Sequence, residues 1–322
     1  MNLQNFIEAK EKILAEQPDI LDLSESRLRN SRLKPRNFHP DDLPEVSYRC
    51  HLAEFWLDAM KLSRDLKPNT LISQGVRHSL EVLLRANFAK LWVIPEDVYP
   101  VYMQLAKRNP FQLTVTYRSY PLANIPQGDF LLFCHPSKPR NEPLSMGERA
   151  TLFQWLAHDK KRRIVIDGVY NYFDMDELTQ SLWDTGQAIF LHSLSKSFIS
   201  EKMMGVCMVP SEDISLYTPT FRALTWEDDK ENFRKAEFLL RKERFACMTY
   251  GSQILTSRLN MQRELHRDFQ INFYISDQQV SYLQVVPYSW EELLDKGILA
   301  IPYSVFGGQL TNLSVISSLR YI

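Results

Sequence analysis

In the segment AIFLHSLSKSF, residues 188–198, an apolar run leads straight into Ser193, Ser195 and Lys196. A lysine in that position is partly desolvated, which favours the neutral amine and frees it to attack a carbonyl. The two hydroxyls beside it can serve an oxyanion such as a phosphate. In RRIVIDGVYNYF, residues 162–173, an apolar strand ends in Asp167, with Tyr170 three residues on. α/β sheets take their ligands outside the carboxyl ends of their strands, and a carboxylate there can keep a ligand nitrogen protonated. In LISQGVRHSL, residues 71–80, Gly75 stands between a polar loop and the start of a helix. The first N–H groups of such a helix, here those of Gly75, Val76 and Arg77, lack helical partners and attract an anion. The C-terminal stretch GILAIPYSVFGGQLTNLSVISSLRYI reads as an apolar strand, a Gly-Gly turn and a final strand carrying Arg320. Its planar guanidinium suits a carboxylate. Each feature alone has an ordinary explanation: a glycine turn, a polar strand end, a surface lysine, a terminal charge. Their fixed order along the chain carries more weight than any one of them.

The elements that must position these residues follow from hydrophobic pattern. Between about Thr70 and Pro210, short apolar runs alternate with helix-like stretches, as in βα units around a mostly parallel sheet. The runs are Leu91–Ile94, Phe111–Tyr117, Phe130–Cys134, Ile164–Ile166, Ala188–Leu191 and Val206–Val209. Val76, Leu80, Leu83, Leu84 and Phe88 recur at helical spacing behind Gly75. Ser145 and Glu148 fit a capping box ahead of Leu152, Trp155 and Leu156. Beyond Pro210 the texture turns to charged helical stretches such as Glu227–Arg244, then to short strands near Tyr282–Val286 and Ile298–Ile301. That predicts a large cofactor-binding domain over 45–225 and a smaller α+β domain from 1–44 with 226–322.

With 322 residues, 44% apolar and 24% charged, and a formal net charge of −1, the chain carries no mark of disorder or of broad nucleic-acid binding. A small-molecule partner is expected. The N-terminus, MNLQNFIEAKEKILAEQ, reads as an amphipathic helix rather than a cleavable leader, and no long apolar run follows. Cys50, Cys134, Cys207 and Cys247 stand far apart, without disulfide or metal-type spacing, so free thiols in a reducing cytoplasm are the expectation and no metal is.

The D-x-x-Y of Asp167 and Tyr170, followed one strand–helix–strand interval later by the S-x-S-K of Ser193, Ser195 and Lys196, resembles the class I/II aminotransferases, the fold type I group of pyridoxal-phosphate enzymes. The likeness runs from about residue 20 to residue 322. It implies an α/β fold with a mostly parallel seven-stranded sheet between helices, and pyridoxal 5'-phosphate as cofactor. Lys196 would then form the Schiff base and move the proton between Cα and C4′. Asp167 would pair with the ring nitrogen, Tyr170 with the ring hydroxyl. Ser193, Ser195 and the amides at Gly75, Val76 and Arg77 would hold the phosphate. EDVYPVYMQLA looks like the family's P-x-Y-x-x-Y stretch, making Tyr99 the residue that stacks on the ring. Tyr48 resembles a tyrosine that reaches the neighbouring subunit's phosphate, which implies a homodimer with shared sites. Arg320 falls where the family keeps its carboxylate-binding arginine.

The chain departs from the family in three ways. In HPSKPRNEP, Lys138 occupies the position of an asparagine that touches the ring hydroxyl. In SKSFISEKMMGV the usual phosphate-binding arginine is missing, with Lys202 the nearest substitute. The chain is also short for the family. An amino-acid aminotransferase is the expected activity; other reactions of the same cofactor (elimination, cyclisation, decarboxylation, racemisation) and a non-catalytic protein of this fold are its rivals. Neither G-x-G-x-x-G nor G-x-x-x-x-G-K-[ST] is present, which argues against nucleotide binding.

Overall fold

A computed structural model describes residues 1–25, 43–44, 47–108, 111–136, 143–171, 174–198, 203–224, 230–242, 246–275 and 281–321. Helix α1 (Leu3–Glu16), capped by Asn2, and strand β1 (Leu21–Asp22) open the chain. Next come α2 (Arg49–Ala59), β2 (Thr70–Ser73), α3 (Val76–Ala86), β3 (Trp92–Pro95), α4 (Val101–Lys107) and β4 (Thr114–Tyr117). The middle holds β5 (Phe130–Cys134), α5 (Met146–Ala157), β6 (Arg163–Asp167), α6 (Glu177–Trp183), β7 (Ala188–Ser193), the one-turn α7 (Leu194–Ser197) and β8 (Gly205–Met208). Helices α8 (Ile214–Leu224), α9 (Lys230–Lys242) and α10 (Ala246–Phe269) lead to β9 (Leu283–Val286), α11 (Trp290–Asp295), β10 (Ile298–Leu299), β11 (Ile301–Pro302) and β12 (Ser314–Ser317).

Seven strands form one sheet in the order β2-β8-β7-β6-β5-β3-β4, parallel except where β8 pairs with β7 and β2. The mostly parallel seven-stranded sheet expected from the sequence is therefore present. Strand alternation divides its side chains between two cores. Ile164, Ile166, Phe190 and Val206 face α2, α5, α6 and α9, while Val165, Ile189, Leu191 and Cys207 face α3, α4 and α8. Each fully buried leucine or isoleucine in these layers contributes about 1.5–3 kcal/mol. The capping box at Ser145 and Glu148 starts α5 as its sequence predicts. Helix α9, expected with the C-terminal domain, instead packs Phe233, Ala236, Leu239 and Leu240 into the large-sheet core beside Trp56. Its charged composition describes the outer face, and its apolar stripe decides the packing.

The C-terminal layer is a three-stranded antiparallel sheet, β11-β12-β9, together with the parallel pair β1-β10 that ties the N-terminal segment to it. A third apolar cluster joins this layer to the end of the large sheet, bringing Val169 and Tyr170 against Tyr282, Tyr303, Phe306 and Val315. Gly307 makes that seating possible. Its φ of +86° lies in the left-handed region, and a Cβ there would come within 1.7 Å of the Glu96 carbonyl oxygen, so only glycine lets the two backbones meet.

Candidate active site

Strand register assembles one corner of the site. Gly205 pairs with Ser73 on one side and Ser193 on the other, so the turn into α3 and the turn after β7 are neighbours. A Cβ on Gly205 would lie 2.4 Å from the Gly75 Cα and 2.6 Å from its nitrogen, so this approach also requires glycine. Gly75 holds φ at +115° and caps α3. Its own N–H donates to Ser73 Oγ at 3.3 Å. The Val76 and Arg77 amides lie in the first turn of the helix, with no hydrogen-bond partner among the described residues. A Cβ on Gly75 would stand 3.9 Å from Ser193 Oγ. Ser193 caps α7: its hydroxyl oxygen accepts from the Ser195 amide at 3.2 Å and donates to Ser195 Oγ at 3.0 Å. Helix-start amides, two hydroxyls and a close backbone approach thus lie side by side, donors of the kind an anion attracts.

Asp167 ends β6 next to β7 and is buried. Its Oδ1 accepts from the Val169 amide at 3.1 Å, and its Oδ2 from the Tyr102 hydroxyl at 2.5 Å. Burial first, and then the Asp167 charge, push the Tyr102 phenol well above its ordinary value, so Tyr102 stays a protonated donor. Tyr102 meets Tyr99 edge to face at 5.3 Å between centroids. Arg77 donates to the Tyr99 hydroxyl from Nε at 3.1 Å and Nη2 at 2.6 Å, with its guanidinium carbon 5.8 Å from the ring centroid. Tyr99 is thus fixed between α3 and α4.

Lys196 Nζ donates to the Tyr282 hydroxyl at 2.9 Å and stands 5.0 Å from that ring's centroid. Tyr170, buried, meets Tyr282 edge to face at 6.1 Å. Beneath the turn, His192 is fully buried. Trp56 Nε1 donates to its Nδ1 at 3.0 Å, and its Nε2 lies 2.7 Å from the Asn171 carbonyl oxygen. An indole N–H only donates and a carbonyl only accepts, so His192 is neutral with its proton on Nε2. To one side, His135 Nε2 lies 3.2 Å from Asp176. Burial of Asp176 opposes its ionisation, but the His135 hydrogen bond and charge, with the Thr179 amide and hydroxyl, outweigh that and hold it at about 2.

The structure thus gathers Gly75, Val76, Arg77, Tyr99, Asp167, Tyr170, Ser193, Ser195 and Lys196 at one end of the sheet. Lys138 and Lys202 lie outside the described residues. Tyr48 caps α2 with its side chain 58% exposed, its ring edge to face with His51. The final strand does not carry Arg320 as expected: β12 stops at Ser317, and Arg320 is exposed on the 3-10 turn Ser318–Tyr321. Two residues escaped the sequence reading. Tyr102 sits three after Tyr99, the helical spacing that would have placed both on one face. Tyr282 carries no local signal, because only the layer contact brings it to Lys196.

No protein-family model matches the sequence, and no curated relative matches it. Among the described residues no helix is long and apolar enough to cross a membrane. Solved structures do match over nearly the whole chain. An Escherichia coli protein with a methionine aminotransferase function is 14% identical, with 97% of this chain and 92% of that one covered at a TM-score of 0.75. A probable N-succinyldiaminopimelate aminotransferase from Thermus thermophilus is 17% identical, with 98% and 95% covered at 0.73. A Methanococcus jannaschii protein similar in its active site to kynurenine aminotransferases is 14% identical, with 99% and 92% covered at 0.73. The chain therefore has the fold type I architecture of the class I/II aminotransferases, as a divergent sequence on that fold.

Proposed function

We propose that this chain is a pyridoxal-phosphate-dependent aminotransferase acting on an amino acid. The observation that carries the reading is the convergence, at one end of the sheet, of a carboxylate (Asp167), a helix start with paired hydroxyls (α3, Ser193, Ser195) and a lysine amine (Lys196). When bound, the cofactor supplies an aldehyde for that amine and a ring that accepts electrons from a substrate carbon.

The chain's own residues do the rest. The Val76 and Arg77 amides and the two serine hydroxyls bind the phosphate, and Tyr99, clamped by Arg77, covers one ring face. Asp167 holds the proton on the ring nitrogen, and Tyr102, locked as a donor on its other oxygen, orients that carboxylate. Tyr170 is the donor toward the ring hydroxyl. Lys196 would be the amine that holds the cofactor's aldehyde and the base that moves a proton between the substrate's Cα and C4′. Lys138 and Lys202 are proposed to meet the ring hydroxyl and the phosphate. A homodimer in which exposed Tyr48 reaches the partner's phosphate completes the proposal.

The test is an absorption spectrum of the chain with the cofactor, followed by single amino-acid donors without an acceptor. Loss of the aldehyde band with stoichiometric keto acid supports transamination, whereas ammonia release with the band restored points to elimination. Lys196→Ala is expected to abolish the covalent band and to slow the half-reaction at least about a hundredfold. An unchanged spectrum in that variant removes the site assignment.

A further inference from the structure

Tyr282 belongs to none of the four motifs, yet it holds the amine at the centre of the site. Its backbone is fixed: its carbonyl accepts from the Ser318 amide at 2.8 Å, and Leu283 beside it pairs with Ser317 across β9 and β12. Its side chain is 3% exposed, packed in the cluster that joins the two layers and braced by the edge of Tyr170. The hydroxyl takes a hydrogen bond from Lys196 Nζ at 2.9 Å while the ring face stands 5.0 Å from the same atom. Two attractions of different kind therefore act on one flexible side chain: an acceptor that fixes direction and a π face that favours a cation. Lys196 is carried by the large sheet and Tyr282 by the C-terminal layer, so the bond exists only while the layers are seated as Gly307 allows.

We infer that Tyr282 is a positioning residue, whose hydroxyl holds the Lys196 amine in the attitude from which it meets a carbonyl carbon and makes that attitude depend on the seating of the C-terminal layer. This rests on the reading of Lys196 as the reactive amine. Tyr282 makes and breaks no covalent bond. In the neutral amine one N–H points to the phenol oxygen, and the nitrogen lone pair stays available to the carbonyl. In the charged amine the same contact and the ring face hold the proton, which leaves to solvent before attack.

The inference is tested on the full chain with pyridoxal lacking its phosphate, a probe that reads the amine rather than the anion donors. The imine at each lysine is trapped with borohydride and quantified by peptide mass spectrometry between about pH 6 and 10. Tyr282→Phe keeps the ring and the packing and removes only the acceptor. It is expected to lower the high-pH plateau rate at Lys196 about tenfold and to move the midpoint of the profile to lower pH, with an unchanged unfolding midpoint. Tyr282→Leu, which also loses the ring face, moves the profile further the same way. A plateau and midpoint equal to those of the unaltered chain in Tyr282→Phe overturn the inference alone. Absence of preferential labelling of Lys196 in the unaltered chain overturns the functional reading and this inference with it.

Discussion

At the end of the large sheet, Asp167, Ser193 and Gly205 take their places from strand register: Asp167 pairs with Leu191, two residues before Ser193, and Ser193 pairs with Gly205. In the C-terminal layer, Tyr282 and Arg320 take theirs from the packing of short strands and turns, and two residues of one layer end in different surroundings. Tyr282 is buried against Lys196, whereas Arg320 is exposed three residues beyond β12. The contrast teaches that a motif ending a long parallel strand carries its own coordinates. A charged residue on a short turn does not, because one turn of 3-10 helix changes the direction in which its side chain leaves the backbone.

Substitutions on the two sides sharpen the contrast. Asp167→Asn keeps the shape but removes the charge, and is expected to slow the donor half-reaction on the order of a hundredfold with little change in unfolding midpoint. Retention of full rate would mean that the Asp167 charge serves only the Tyr102 and Val169 hydrogen bonds. His192→Phe, directly before Ser193, strands the Trp56 indole N–H in a buried layer. A loss of about 1–3 kcal/mol, read by denaturant unfolding, is the expected result.

The Asp176 carboxyl, held at about 2 against an ordinary 3.8, binds fewer protons folded than unfolded. Its contribution to stability is therefore present above about pH 4 and lost as pH falls toward 2. Because 36% of its side chain is exposed, that contribution is about 1 kcal/mol, to be measured as the difference in acid unfolding between the chain and Asp176→Asn. At the small end of the scale, Arg320→Ala is expected to cost under about 0.5 kcal/mol and to leave the donor KM within about threefold. A larger rise in KM would place Arg320 at the substrate site.

Legibility in the sequence follows the same divide. Apolar runs bounded by polar turns marked the six strands from β3 to β8 to within a few residues, and the capping box placed the start of α5. The start of α3 behind Gly75 was legible, although the Gly75 amide turned inward to Ser73, which no local pattern signals. Charge in α9 misled because a helix shows its solvent face in composition and its packing only in the stripe beneath.

What the sequence determined by itself was the order of chemistry along the sheet: a glycine before a helix, a carboxylate ending a strand, two serines and a lysine ending the next. Those relations span few residues, and strand direction and alternation fix them once the apolar pattern is given. Tertiary structure alone decided which distant side chains complete the site, pairing Tyr102 with Asp167 and Tyr282 with Lys196. Contacts of that kind depend on how separate layers seat against one another, which here turns on two close backbone approaches at Gly205 and Gly307 that no local pattern announces.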